Sequence, residues 1–376
     1  MTYLILEDGS VYQGKSFGAV APSLDKIKTN KSCGELIFNT SMVGYQEIIS
    51  DPSYEGQIVT FTYPHIGNYG IDVGGEENII KSKINCNAVV VKNYYDGPVA
   101  ENRITLDQYL KESDVIGICN VNTRALTLHL RDTGFKRAII VECDNLGKVE
   151  KDFVVQHLLS FPFISSLNPV ESVSCTKIIE SPEINSKIDV LYESNKHFAL
   201  VDFGIKKSII KALYRRGVEV TLLPPTFTED DVLNHGYSAL FLSNGPGDPE
   251  MQTNAIKTVR SLLNKIPIMG ICLGHQIITL ALGGKTEKMS FGHHGGNQPV
   301  TDLETGRTFV TSQNHSFVSS SLSDDCKVWF INSNDRSIEG IKVPSKSILS
   351  VQFHPEAGPG PREGERIFDE FIKESK

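Results

Sequence analysis

Residues 197–223 read HFALVDFGIKKSIIKALYRRGVEVTLL. HFALVDF is the continuous apolar run of a strand buried on both faces, and it ends at Gly204. IKKSIIKALYRR then places Ile205, Ile209, Ile210 and Leu213 on one helical face. Gly217 stops that helix, and VEVTLL opens a second strand. Strand, helix, strand predicts a right-handed βαβ unit and therefore a parallel sheet. Downstream, SALFLSN (238–244), PIMGI (267–271) and SILSVQF (347–353) repeat the strand pattern. GPGDP follows the first of these, Cys272 the second and His354 the third. Sites in open α/β sheets form beyond the carboxyl ends of the strands, so these three places are expected to converge.

Upstream the texture differs. Short β-rich runs (LILEDGSVYQG, GELIFNTS, GQIVTFTYP, NAVVV) alternate with polar turns, and TRALTLHLRDTG (123–134) is helical with a glycine stop. Residues from about 160 to 196, rich in proline, serine and charge, read as a connecting region. The expectation is an α/β chain of two domains. A β-rich α/β domain covers 1–190, and an open, mostly parallel-sheet domain covers 191–376. Lys+Arg of 37 against Asp+Glu of 45 gives a net charge of −8, which offers no basic field to nucleic acid or an anionic membrane. The chain shows no long apolar span and no export-like start, so a cytoplasmic protein is expected. The seven cysteines, at 33, 86, 119, 143, 175, 272 and 326, include no C-x-x-C pair and are expected to be reduced thiols.

A free cysteine is most often a core residue. The neighbours of Cys272 reverse that reading. Gly270-x-Cys272-x-Gly274 has the form of a strand-to-helix elbow, in which small residues let a strained turn close around a nucleophile. HQIITLALGG continues as the helix, whose N-terminus would stabilise a thiolate. The Leu273 N–H would face a developing oxyanion, and Gly245-Pro246-Gly247 would bring a second donor. His354 would serve as base and acid, with Glu356 orienting it. The suited chemistry is acyl transfer through a thioester. Other strings do not hold up. His275 sits on the helix and points away. His293-His294 face opposite sides of a strand with no third ligand at regular spacing, so no metal site is expected. GGKT (283–286) follows a helix and has Thr279 where a phosphate loop needs glycine. Asp202-Phe203-Gly204 lacks the companion H-R-D loop of a kinase.

SNGPGDP (243–249), GICLGHQ (270–276) and QFHPEA (352–357) together resemble the class I, triad-type glutamine amidotransferases. GELIFNTSMVGYQEIISDPSYEGQIVTFTYPHIGNYG (34–70), with NTRALTLHLRDTG and FGHHGGNQPV, resembles the small chain of glutamine-hydrolysing carbamoyl-phosphate synthetases. The resemblance implies that Cys272, His354 and Glu356 form the triad. It implies glutamine contacts at Ser41, Gly245, Gly247, Leu273, Gln276, Asn314, Ser316 and Phe317, with Ser41 coming from the first domain and Gln276 reaching the substrate's α-carboxylate or amino group. It also implies a hetro-oligomer with a large chain that receives ammonia and binds bicarbonate, ATP and Mg, no cofactor in this chain, and a product used for arginine or pyrimidine synthesis. Three positions depart from the family pattern: Ser316 for glycine, Asn122 for aspartate and Gln298 for histidine. A glutaminase for another synthase and a catalytically dead binding module are the rival readings. The first-half match opposes the former, and the presence of Cys272 and His354 opposes the latter.

Overall fold

A computed structural model describes residues 1–29, 32–80, 84–183 and 188–375. Residues 1–76 and 82–167 form one compact unit, and 77–81 with 168–376 form the other. The expected boundary at 190/191 therefore falls inside the second unit. Val170 and Cys175 bury into its two cores, and the Cys175 N–H donates to Asp202 Oδ2 at 2.7 Å. The 77–81 segment joins through Glu77, whose carbonyl accepts from the Lys207 N–H at 2.7 Å.

The strands of the first unit are β1 (Thr2–Leu6), β2 (Val11–Gly18), β3 (Cys33–Asn39), β4 (Gln57–Phe61), β5 (His65–Ile66), β6 (Ala88–Val90), β7 (Asn93–Tyr94), β8 (Ile116–Cys119) and β9 (Lys136–Glu142). β5 and β7 pair with each other, and the rest close a barrel in the order β1-β2-β8-β6-β4-β3-β9. Closure leaves no free sheet edge. β1 shows why its sequence is apolar throughout. Leu4 and Leu6 join Leu36, Ile58, Ile118 and Ile140 in one cluster, whereas Tyr3 and Ile5 pack with Val154 and Leu158 of the helix Lys148–Ser160. Asn122, one of the departures, caps the helix Thr123–Thr133 by accepting from the Ala125 N–H at 3.1 Å. Asparagine caps as well as aspartate does.

The second unit carries β10 (Ile179–Glu180), β11 (His197–Val201), β12 (Glu219–Leu223), β13 (Ala239–Leu242), β14 (Ile268–Ile271), β15 (Lys285–Asp302), β16 (Thr308–Ser321), β17 (Lys327–Asn332), β18 (Ile338–Val343) and β19 (Ile348–Val351). They make a ten-stranded sheet in the order β10-β12-β11-β13-β14-β19-β18-β17-β15-β16. The stretch β12-β11-β13-β14-β19 is parallel. β10 at one edge and β18-β17-β15-β16 at the other extend it with antiparallel pairs. β11 alternates as a doubly covered strand must. Phe198 and Leu200 face the cluster of Ile209, Ile210, Leu213, Phe368 and Phe371. Ala199 and Val201 face that of Val259, Leu262, Ile277 and Ile278. β11, β13, β14 and β19 run in one direction, so their carboxyl ends share one edge. Among the described residues, no helix is long and apolar enough to cross a membrane.

Candidate active site

Cys272 joins β14 to the helix Leu273–Ala281 with φ 53° and ψ −104°. Holding a side chain in such a conformation costs about 1–3 kcal/mol. Close backbone approach imposes it. A Cβ on Gly274 would stand 2.2 Å from the Leu242 carbonyl oxygen, and one on Gly270 would stand 2.8 Å from the Gly274 carbonyl carbon. The Cys272 N–H donates to Val351 O at 2.9 Å and the Gly274 N–H to Ser243 O at 3.0 Å, so the elbow is pinned between β13 and β19. Leu273 opens the helix, so its N–H has no place in the i→i−4 ladder and is left for another acceptor. Gly274→Ala is expected to cost about 1–3 kcal/mol from overpacking. Its loss of glutaminase rate should exceed its loss of stability, because the clash displaces the elbow itself. Thermal unfolding and ammonia release on one preparation check this, and wild-type values for both would refute the close-approach argument.

His354 stands three residues past the end of β19. Its Nδ1 lies 2.6 Å from Glu356 Oε1, and both side chains are essentially inaccessible. Burial opposes a charge on the imidazole, but the Glu356 carboxylate and Cys272 outweigh it, raising His354 from 6.5 to about 10. The Cys272 Sγ is turned toward the Asn314 carbonyl at 3.5 Å, and His354 Nε2 makes no hydrogen bond among the described residues. The thiol thus acts on the ring without a closed Sγ–Nε2 bond. Such bonds often tighten only with substrate present.

Glu356 has a second partner, which the sequence reading missed. Lys206 Nζ lies 3.0 Å from Glu356 Oε1, with side-chain exposures of 2% and 0%, and it also donates to the Ala357 carbonyl. Burial pushes the Glu356 carboxyl up, but Lys206 and then His354 outweigh it, lowering it from 4.5 to about 2. The sequence held one signal. Lys206 is the N-cap of the helix Lys207–Tyr214, where a cation opposes the helix dipole. A broken local rule of that kind marks a functional position.

The expected glutamine contacts of the second unit gather on the same sheet edge and the neighbouring strand β16. A Cβ on Gly245 would lie 2.3 Å from the Phe203 carbonyl oxygen, and Gly247 has φ +90°. Gln276 is buried, and its Nε2 donates to Phe317 O at 2.7 Å and to Gln352 Oε1 at 2.9 Å. Both amide hydrogens are thus committed, which leaves the carbonyl oxygen as its remaining hydrogen-bonding atom. Of the two expected contacts, an oxygen left as acceptor suits the amino group. Asn314 turns its carbonyl to the thiol and its Oδ1 to His294 Nδ1 at 2.9 Å. Ser316 lies within β16 and outside the positive-φ residues, so serine in place of glycine carries no backbone strain there. Gln298, the third departure, accepts from Asn332 Nδ2 at 3.4 Å. Ser41 lies in the first unit just past β3, its N–H donating to Asn39 Oδ1 at 2.8 Å.

The carbamoyl-phosphate synthase small chain, CPSase domain profile matches residues 4–140, and the glutamine amidotransferase class-I profile matches 199–374. The chain is 43% identical to a carbamoyl phosphate synthase small chain of Aquifex aeolicus over 98% of this chain and 97% of that one. It belongs to the carbamoyl phosphate synthase small chain family. A Methanococcus maripaludis small chain is 40% identical over 98% of this chain and 96% of its own. One from Archaeoglobus fulgidus is 41% identical over 98% and 97%.

The discarded strings have structural roles. His275 is buried between Ser350 Oγ at 2.9 Å and Ser319 Oγ at 3.0 Å, and burial lowers it to about 3, a neutral core histidine. Asp202 accepts from the Gly204 and Ile205 N–H groups at 2.9 and 2.8 Å and shapes the turn after β11. All seven cysteines are free. His293 and His294 do point apart, but His293 meets His315 and Glu339, whose ligand atoms with its own lie within 4.8 Å of one another.

Proposed function

We propose that this chain hydrolyses L-glutamine at Cys272 and delivers the ammonia to a carbamoyl-phosphate synthase large chain. The observation that carries the chemistry is the buried imidazole of His354, fixed by Glu356 at 2.6 Å with Nε2 unspent, acting on a cysteine held at φ 53°. The thiolate attacks the side-chain amide carbon, and the Leu273 N–H receives the developing oxyanion, with the Gly245–Gly247 turn as second donor. His354 gives its Nε2 proton to the departing nitrogen, the C–N bond breaks, and ammonia leaves a γ-glutamyl thioester. Neutral His354 then takes a proton from water as the water oxygen attacks the thioester. The C–S bond breaks, glutamate leaves, and thiolate and imidazolium are restored. Gln276 Oε1 accepts from the substrate's α-ammonium. Asn314, Ser316 and Phe317 supply the β16 side of the pocket, and Ser41 is carried over by its motif alone.

The full-length match to small chains supports a hetero-oligomer in which the large chain binds ATP, Mg and bicarbonate. Ammonia protonates readily in bulk water, which favours its transfer by an enclosed path. Free thiols fit a reducing cytoplasm. The test is ammonia release from glutamine by the purified chain, alone and with the large chain that co-purifies. Release that rises with the partner, together with ATP-dependent carbamoyl phosphate formation only when both are present, is expected. Absence of release in both samples overturns the assignment.

A further inference from the structure

We propose that His293, His315 and Glu339 bind a divalent transition-metal ion of the zinc class, behind the strand that carries Asn314 to Phe317. The three side chains come from β15, β16 and β18, with exposures of 7%, 1% and 0%. His293 Nδ1 lies 3.6 Å and His315 Nε2 lies 4.0 Å from the same Glu339 Oε1. Donors on a tetrahedral zinc ion stand about 3.3 Å apart, given zinc–nitrogen bonds near 2 Å. The two histidine nitrogens thus stand a few tenths of an ångström beyond that spacing from Glu339, and with all three atoms within 4.8 Å of one another a bound ion would have to draw the set together.

The hydrogen bonds behind the ligands make the stronger case. His293 Nε2 faces Asp335 Oδ2 at 2.9 Å, which places its proton on Nε2 and its lone pair on Nδ1, toward Glu339. His315 Nδ1 faces the Phe317 carbonyl at 2.9 Å; in the tautomer with its proton on Nδ1, the Nε2 lone pair is turned toward Glu339. A carboxylate and a backbone carbonyl are the groups that orient metal-binding histidines. His315 Nε2 also faces Gln313 Oε1 at 3.1 Å, a further acceptor. Glu339 Oε2 is buried without a hydrogen-bond partner among the described residues. The Asn332 amide reaches His293 Nδ1 and Glu339 Oε1 only at 3.5 Å each, so the acceptors from three strands meet with one long-range neutral donor between them, an arrangement that a cation would satisfy better. The competing cation is a second proton on His293, which Asp335 and Glu339 would both favour.

The ion's place follows from the fold. His315 is the residue after Asn314, whose carbonyl meets the Cys272 thiol. An ion bound by β15, β16 and β18 fixes that strand from behind, away from the reacting atoms. Asp335 is 42% exposed and gives the cluster a route to solvent. The site stands on its own geometry and does not depend on the glutaminase assignment.

The test uses the full chain, stripped with a chelator, loaded with Zn²⁺ or Co²⁺ and freed of excess metal. Wild type and Cys272→Ala are each expected to retain about one equivalent per chain. Co²⁺ should show the visible absorption of a low-coordinate nitrogen and oxygen site without a thiolate charge-transfer band. Glu339→Gln should lose the stoichiometric ion. Asp335→Asn, a near-isosteric change at a part-exposed residue whose amide oxygen can still accept from Ser337, should weaken binding about 10- to 100-fold. Zn²⁺ should raise the unfolding temperature of wild type reversibly, and less so that of Asp335→Asn. Retention that vanishes in Cys272→Ala overturns the proposal, as does affinity unchanged in Asp335→Asn. So does a nitrogen-15 spectrum showing His293 doubly protonated at pH 8 in the presence of Zn²⁺.

Discussion

Cys272→Ala lowers glutamine hydrolysis by about 10⁴-fold or more, because the remaining groups of a triad contribute little without their nucleophile. The loss should be the same with and without the large chain, while carbamoyl phosphate formation from added ammonia persists. Ammonia release and ammonia-dependent synthesis on the same complex separate the two. Hydrolysis that survives the substitution would make Cys272 a core residue. The elbow adds a stability signature. At φ 53° and ψ −104° an alanine keeps the strain that glycine relieves. Cys272→Gly is therefore expected to be more stable than Cys272→Ala by about 1–3 kcal/mol, the reverse of the usual order. Denaturant unfolding of the two variants checks it, and a more stable alanine variant would mean that the turn is not strained.

Lys206→Met carries the second large effect. Both partners of the Lys206–Glu356 pair are buried, and removing the lysine leaves Glu356 with His354 as its one remaining counter-charge, at a cost of up to about 3–5 kcal/mol. The kinetic signature is in the pH profile. Lys206 is the largest influence holding the Glu356 carboxyl down at about 2. Without it, burial pushes that carboxyl up, Glu356 protonates at higher pH, and His354 loses its counter-charge. The acid limb of kcat/KM should move to higher pH, whereas a packing role alone would reduce rate or stability and leave the limb in place. The sign of the stability effect follows from the same shifts. Glu356, lowered from 4.5, contributes stability that is complete above 4.5 and lost as pH falls toward about 2. His354, raised from 6.5, contributes stability that is complete below 6.5 and lost as pH rises through about 10. Wild type should therefore have its greatest triad contribution between these limits, and Lys206→Met should lose the acid side first. An unchanged acid limb would assign Lys206 to packing.

The residues that were legible are those whose roles are local. The βαβ rhythm of 197–223 is a matter of apolar spacing along one backbone. The G-x-C-x-G elbow shows in sequence because the two glycines that allow the close approach flank the cysteine they strain. His354 and Glu356 are two residues apart, so their pairing is nearly a property of the chain. Lys206 was missed because its partner is on β19's far side in sequence, and only the parallel neighbours β11, β13, β14 and β19 bring the two together. For Gln276 the sequence leaves the substrate's α-carboxylate and amino group both open, and nothing local in it shows that Phe317 and Gln352 take its amide hydrogens.

The sequence by itself determined the strand and helix pattern, the two-part character of the chain, the elbow at Cys272 and the pairing of His354 with Glu356, since periodicity, turn chemistry and short-range pairing are local. The tertiary structure decided the domain division at 167/168, the buried lysine behind the triad, the unstrained backbone at Ser316 and the meeting of His293, His315 and Glu339. Those depend on which strands lie side by side, and hydrogen bonding between distant strands leaves no regular spacing in the chain that makes them.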